Sequence, residues 1–370
     1  MNKKGITLVL LVCAVLALAL VGFTMDLATG LVRDRITQAV DQSLDSQITL
    51  GEVKGNPFRG YRIEGVTLSA DGVDLLTARR FYAKVSLFSL LGGGAPVSLL
   101  EVVGFDSDVE RINRLISRIR PGEGGGELPF KRVRLTDGRF GTPWAESTLK
   151  TVTVSLGKGR LDTDLDLLVG DLPVKGGIDV LLVDGTSALK KMDLRIGDGK
   201  LTASGKVMPE LSVDGEARSL DIARLISFWP GANPELFKGL LSLDFSARKT
   251  WQDPEISGNL DYSGSLLSGI PVEKASARWK FLNDRLDIAD LDAFALGFPL
   301  KGDLAFVFDP KAPPRMRVDL KGSAADLEAL SQVSKKLEDV SGALDHFSIF
   351  LQGQVSNPEG QVSFEARKLG

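Results

Sequence analysis

The residues able to do chemistry are few. The chain has one histidine, His346, and one cysteine, Cys13. A Ser–His–Asp relay needs a histidine between nucleophile and carboxylate, and a zinc centre needs three or four ligands gathered together. His346 belongs to no such set and reads as a surface or strand-end residue. Cys13 lies inside an apolar run, where no thiolate nucleophile is expected. Asp162, Asp164 and Asp166 suggest acid–base or calcium chemistry by type. Their alternate spacing instead lines them along the wet face of a strand. The glycine-rich stretch 122–126 lacks the Lys-Ser/Thr of a phosphate-binding loop. Trp144, Trp229, Trp251 and Trp279 read as packing or lining residues rather than a carbohydrate platform. The chain is therefore expected not to be an enzyme, and to need no metal and no cofactor.

The elements that would carry function are apolar and one-sided. With 370 residues, the chain has room for two or three domains. Hydrophobic residues at 43% and charged residues at 25% allow a substantial core and argue against general disorder. The balance of 45 basic against 48 acidic residues offers no basic face, so no nucleic-acid partner is expected. Lys3 and Lys4 precede an uncharged apolar run over residues 6–25, close to the ~20 residues that cross a bilayer as a helix. Ile6, Leu8, Leu11, Leu16, Leu20 and Phe23 are the anchor candidates in that run. The two lysines hold the tip in the cytoplasm and send the main body outward. A cleaved signal peptide competes with the anchor. Ala17-Leu18-Ala19 supplies small residues for it, but Leu20 and Val21 continue the apolar run. Leu11 and Val12 do not fit the small residues a lipidated Cys13 would need before it. Residues 26–47 predict an amphipathic helix, with Leu27, Leu31, Ile36, Val40 and Leu44 on its apolar side. It either packs on the first strands or plugs the membrane end of a groove.

From residue 48 onward apolar and polar residues alternate. Leu161, Thr163, Leu165 and Leu167 do so, as do Leu241, Leu243, Phe245 and Ala247. Ala275, Ala277, Trp279 and Phe281 follow, then Leu304, Phe306 and Phe308, then Met316, Val318 and Leu320, then Phe347, Ile349 and Leu351. Period two with one oily side predicts half-buried strands in an antiparallel sheet. Asp71-Gly72, Asp137-Gly138, Asp184-Gly185, Asp198-Gly199, Asp214-Gly215 and Asn283-Asp284 predict hairpin turns. Short helices or turns are expected at 86–91, 108–119, 221–229 and 326–340, the last two opened by Asp. A glycine-rich linker is expected at 121–127.

A repeat is visible. Leu220-Asp221-Ile222-Ala223-Arg224-Leu225 matches Ala325-Asp326-Leu327-Glu328-Ala329-Leu330. A strand opened by Gly239 or Gly342 follows each, then a turn at Asp253-Pro254 or Asn357-Pro358, then Gly258 or Gly360. The landmarks hold nearly one spacing, as stacked units do. The N-terminal half adds Ile63-Glu64-Gly65-Val66-Thr67-Leu68, Leu75-Leu76-Thr77-Ala78, Ser86-Leu87-Phe88-Ser89-Leu90-Leu91 and the run 97–109. This order resembles the AsmA-like family, TamB-type proteins included. The resemblance implies a taco-shaped β-groove rising from the inner membrane and a role in moving phospholipid toward the outer membrane. For some members it implies a role in outer-membrane protein assembly instead. Many members run longer and end in a partner-binding module. Here Gln361-Val362-Ser363-Phe364 opens a strand shortly before Gly370, which fits a short member or a missing C-terminal part.

The expected fold is mainly β: an N-terminal transmembrane helix, then an elongated, curved antiparallel β-sheet groove with a few short amphipathic helices. The expected organisation is a tip and anchor (1–25), a helix and β module (26–120), the linker (121–127), a groove segment (128–219), one repeat unit (220–324) and the start of another (325–370). An apolar concave face must be covered, and acyl chains are natural occupants. The lining candidates are Phe245, Tyr262, Trp279, Phe281, Leu304, Phe306, Phe308, Met316, Val318, Phe347, Ile349 and Leu351. The expected partners are the inner membrane, phospholipid and an outer-membrane protein, with the main body in the periplasm.

Overall fold

The computed structural model describes residues 37, 46–56, 60–85, 97–108, 110–111, 114, 131–141, 146–157, 159–183, 186–228, 233–250, 253–308, 312–326, 342–355 and 357–369. Outside them lie the anchor candidates, most of 26–47, the stretch 86–91, most of 109–119, the linker 121–127 and residues 327–340. No described helix is long and apolar enough to cross a membrane.

The chain divides into two compact units, Met1–Leu181 and Leu182–Gly370. Strands of the first are β1 (Gln47–Leu50), β2 (Val53–Asn56), β3 (Gly60–Ala70), β4 (Val73–Val85), β5 (Val97–Asp108), β6 (Arg132–Gly141), β7 (Glu146–Gly157), β8 (Arg160–Val169) and β9 (Leu172–Val183). The second holds β10 (Thr186–Ile196), β11 (Gly199–Met208), β12 (Leu211–Asp221), β13 (Lys238–Lys249), β14 (Pro254–Leu266) and β15 (Val272–Leu282). It continues with β16 (Arg285–Ala295), β17 (Phe298–Val307), β18 (Arg315–Asp326), β19 (Gly342–Gln354) and β20 (Asn357–Leu369). Between β12 and β13 lie α1 (Ile222–Ile226) and a 3₁₀ turn, Pro234–Leu236. Mainly β is thus the observed class.

In the second unit each strand pairs antiparallel with the next, from β10 to β20. The first unit departs from the expected all-antiparallel sheet, because β5 and β6 run parallel. The reason is the connection: a tight turn reverses the chain, whereas the stretch 109–131 is long enough for a crossover back to the starting end.

Apolar positions along many strands are not strictly alternate; in the first unit the exceptions fall opposite one another on neighbouring strands, without a shift of register. Ile63 steps to Val66, Ala78 to Phe81, Val102 to Phe105 and Leu135 to Gly138. One extra residue at each step keeps the apolar set on one face, where a plain strand would flip it outward. The extra residues lie side by side: Gly65 and Asp137 have positive φ (59° and 52°), as does Gly104 (65°). The Arg79 guanidinium lies over Gly104, where a Cβ would collide with it, and reaches to 3.8 Å from Asp137. The second unit reaches the same end with bulges. Leu189 steps to Met192, Ala217 to Leu220, Val272 to Ala275 and Ile288 to Leu291, each at a register shift.

This corrects two of the expected turns. Asp71-Gly72 and Asn283-Asp284 do turn, each with two positive φ values. The Asp198 turn forms one residue early, at Gly197-Asp198, with Gly199 opening β11. Asp184-Gly185 lies outside the described residues. Asp137-Gly138 and Asp214-Gly215, by contrast, sit inside β6 and β12. Their glycines serve packing. A Cβ on Gly138 would overlap the Phe105 ring, and one on Gly215 the Phe245 ring. Each glycine is a bare patch of backbone on which an aromatic from the neighbouring strand lies.

The first unit has its tightest core in β1–β6, where Leu100 is 0% and Val133 1% exposed. Leu50, Ile63, Val66, Leu68, Leu75 and Ala83 are closed off with them. Across β7–β9 most apolar positions are half-buried.

Candidate functional site

Cross-strand partners share a face, so register shows which side chains meet. One row crosses the second unit as Gly215, Phe245, then Gly258, Trp279, Ile288, Leu304, Val318 and Leu351. The row beside it runs Ala247, Ile256, Phe281, Leu286, Phe306 and Met316. On the other side come Leu241, Tyr262, Ala275, Ala293, Leu300, Gly322 and Phe347. Phe308 stacks on Phe306 with ring centroids 6.4 Å apart. Every row is apolar apart from the Tyr262 hydroxyl and the Trp279 indole.

The opposite face is a charged lattice. Glu255 receives Lys280 at 2.6 Å and Lys249 at 3.2 Å, and these ammonium groups hold its carboxyl below the ordinary range. Asp214 is lowered by the Ser246 hydroxyl at 2.5 Å and the Arg248 guanidinium at 2.7 Å. Asp244 is lowered by the side-chain amide and backbone N–H of Asn259. Arg278 pairs with Asp290, Lys301 with Asp292, and Arg317 lies 5.4 Å from the Phe350 ring centroid. The ion pairs thus lie on one face, among a few apolar side chains such as Phe294, Val307 and Phe350, while the other face is hydrocarbon.

The apolar face is closed at one margin and mostly half-buried elsewhere. Tyr262, Val272, Ala275, Ala293 and Ala295 form a buried cluster, with Ile222 of α1 against it. The Tyr262 hydroxyl lies 2.9 Å from both the Lys238 and Leu266 carbonyls, so its burial is satisfied. Phe298 and Phe347 meet edge to face at 5.2 Å, and Phe347 lies over Gly322. Away from that margin, Phe245, Trp279, Phe281, Leu304, Phe306, Met316, Ile349 and Leu351 are half-buried.

The chain matches no family model, no curated protein and no solved structure.

The candidates therefore divide. Tyr262, Val318 and Phe347 are buried in the fabric of the sheet. Phe245, Trp279, Phe281, Leu304, Phe306, Phe308, Met316, Ile349 and Leu351 form the half-buried part of one face. Sequence reasoning missed Ile288 and Leu286, which sit between Trp279–Phe281 and Leu304–Phe306. The signal was present as the three-residue step from Ile288 to Leu291. The Trp279 Nε1 is buried with no hydrogen-bond partner among the described residues. An unpaired buried donor costs about 1–3 kcal/mol. His346 is exposed on β19, opposite Glu365. Asp162 pairs with Arg160 and Asp166 with Lys175. Among the described residues no cluster of three His, Cys, Asp or Glu side chains is placed to hold a metal ion.

Proposed function

We propose that this protein is an inner-membrane-anchored periplasmic lipid conduit or scaffold, holding phospholipid acyl chains on the apolar face of its sheet during transport toward the outer membrane. The observation that carries this reading is the apolar row that runs through half-buried Phe245, Trp279, Ile288, Leu304 and Leu351, interrupted by Gly258 and by buried Val318, with the ion pairs on the other face. Each methylene taken from water onto such a face gains about 0.8 kcal/mol. Near-equivalent neighbouring rows let a chain slide without covalent chemistry. The uncharged run 6–25 and Lys3-Lys4 support the anchor and its orientation.

The test is native mass spectrometry of the full chain purified in mild detergent. Phospholipid adducts are expected. Leu304→Arg with Phe306→Arg should remove them while the circular dichroism of the sheet persists. A lipid-free wild type, or adducts indifferent to both substitutions, overturns the reading.

One observation favours a second reading, a periplasmic assembly module for outer-membrane proteins. β20 is paired on one side only among the described residues, and Val362 at its centre is 61% exposed. Open strand edges accept strands of other chains. Crosslinks from Val362 to an outer-membrane protein, without bound lipid, are the result that reading requires.

A further inference from the structure

The apolar face carries one donor that the fold leaves unused, and its chemistry narrows the ligand. This step rests on the lipid reading above and specifies its polar contact. We propose that the Trp279 indole N–H donates to an ester carbonyl of a diacyl phospholipid, fixing the top of an acyl chain on β15.

Of the two polar side chains in the apolar rows, Tyr262 is satisfied by backbone carbonyls and Trp279 is not. Trp279 faces Gly258 on β14 and Ile288 on β16. Gly258 has no side chain, and the position a Cβ would take there is already filled by the Asp244 carbonyl, so the indole can turn only away from β14. The residue as a whole is half-buried while Nε1 is turned inward, so donation to a lipid requires the indole to rotate about its side-chain bonds as the lipid binds.

The acceptor must be neutral. Lys274, Arg278 and Lys280 alternate with Trp279 along β15 and belong to the opposite face. A phosphate or free carboxylate beside the indole would be an uncompensated ion on hydrocarbon, which is costly. An ester carbonyl accepts one hydrogen bond without bringing charge, and it stands where a lipid passes from polar head to apolar tail. From Trp279 the row continues through Ile288, Leu304, Val318 and Leu351. Four strand spacings make that run about 19 Å. A leaflet takes up about half of a ~30 Å hydrocarbon core, so one acyl chain fits along the row.

The experiment compares two probes on the full chain in detergent: a diacyl phosphatidylethanolamine and its dialkyl ether analogue, which lacks the carbonyls. The wild type is expected to bind the ester lipid about five- to tenfold tighter, the worth of one neutral hydrogen bond. Trp279→Phe keeps the aromatic packing and should bind both lipids with the ether lipid's affinity. In the wild type the Trp279 indole ¹⁵N–¹H resonance, assigned by its loss in that variant, should move with the ester lipid and stay with the ether lipid. Equal wild-type affinities, or an ester preference that survives Trp279→Phe, overturns the assignment and leaves the conduit standing. Failure of both lipids to bind overturns the conduit and the assignment together.

Discussion

At the scale of the residue, aromatic rings lying on glycines are the recurring unit. Phe105 over Gly138, Phe245 over Gly215 and Phe347 over Gly322 each use the missing Cβ to bring a ring down onto a neighbouring strand. Gly322→Ala should therefore cost about 1–3 kcal/mol in chemical denaturation, as overpacked sites do. Adding Phe347→Leu should recover part of that loss, and strict additivity of the two would show that ring and glycine do not meet. Tyr61 makes the opposite case. Its hydroxyl is buried without a partner among the described residues, and burial raises its pKa. Tyr61→Phe should leave stability unchanged or raise it by about 1 kcal/mol. A clear loss would mean that the hydroxyl is satisfied in solution.

At the scale of the element, the charged face sets the response to acid. Asp214, Asp244 and Glu255 all have carboxyls held below their ordinary values by hydrogen bonds. The folded chain then binds fewer protons than the unfolded one in that range. The stabilisation is present above the ordinary carboxylate values of about 4 and is lost as pH falls through the folded ones. Tm should hold steady from neutral pH to about 5 and drop below 4. Asp244→Asn combined with Glu255→Gln should flatten that drop. An unchanged profile would show that these pairs do not report on folding. The cap of α1 is a second element-scale case. Asp221 accepts from Ala223 N at 3.0 Å and Arg224 N at 3.3 Å. Asp221→Ala should cost about 1 kcal/mol by calorimetry.

At the scale of the molecule, burial within the first unit is graded. β3–β6 hold side chains closed to water, such as Leu68, Leu100 and Val133, whereas β7–β9 are mostly half-buried. Native-state hydrogen exchange should find the strongest protection at β4 and β5 and weaker protection at β8. Uniform protection across these strands would contradict the gradient. Under the proposed function the half-buried rows of the second unit are the surface a lipid would cover. Saturating phospholipid should slow exchange in β15–β19 more than in β6–β8. Protection confined to β6–β8 would place the lipid elsewhere.

Period-two patterning determined the strand content, the polar and apolar sides, and the hairpins at Asp71-Gly72 and Asn283-Asp284, because side-chain alternation and positive-φ turn chemistry are local. Asp221 was likewise legible as a helix start, although the helix ends at Ile226, short of the expected 229. Three matters were decided only in three dimensions. The Asp-Gly pairs at 137 and 214 read locally as turns, but what requires glycine there is a ring on the adjacent strand. The parallel β5–β6 pairing depends on where a long connection returns, which no strand sequence encodes by itself. The division of the lining candidates into buried Tyr262, Val318 and Phe347 and half-buried Trp279, Leu304 and Leu351 depends on what packs beside each row. Alternation assigns a residue to a face; the neighbouring strands decide how much of that face reaches solvent.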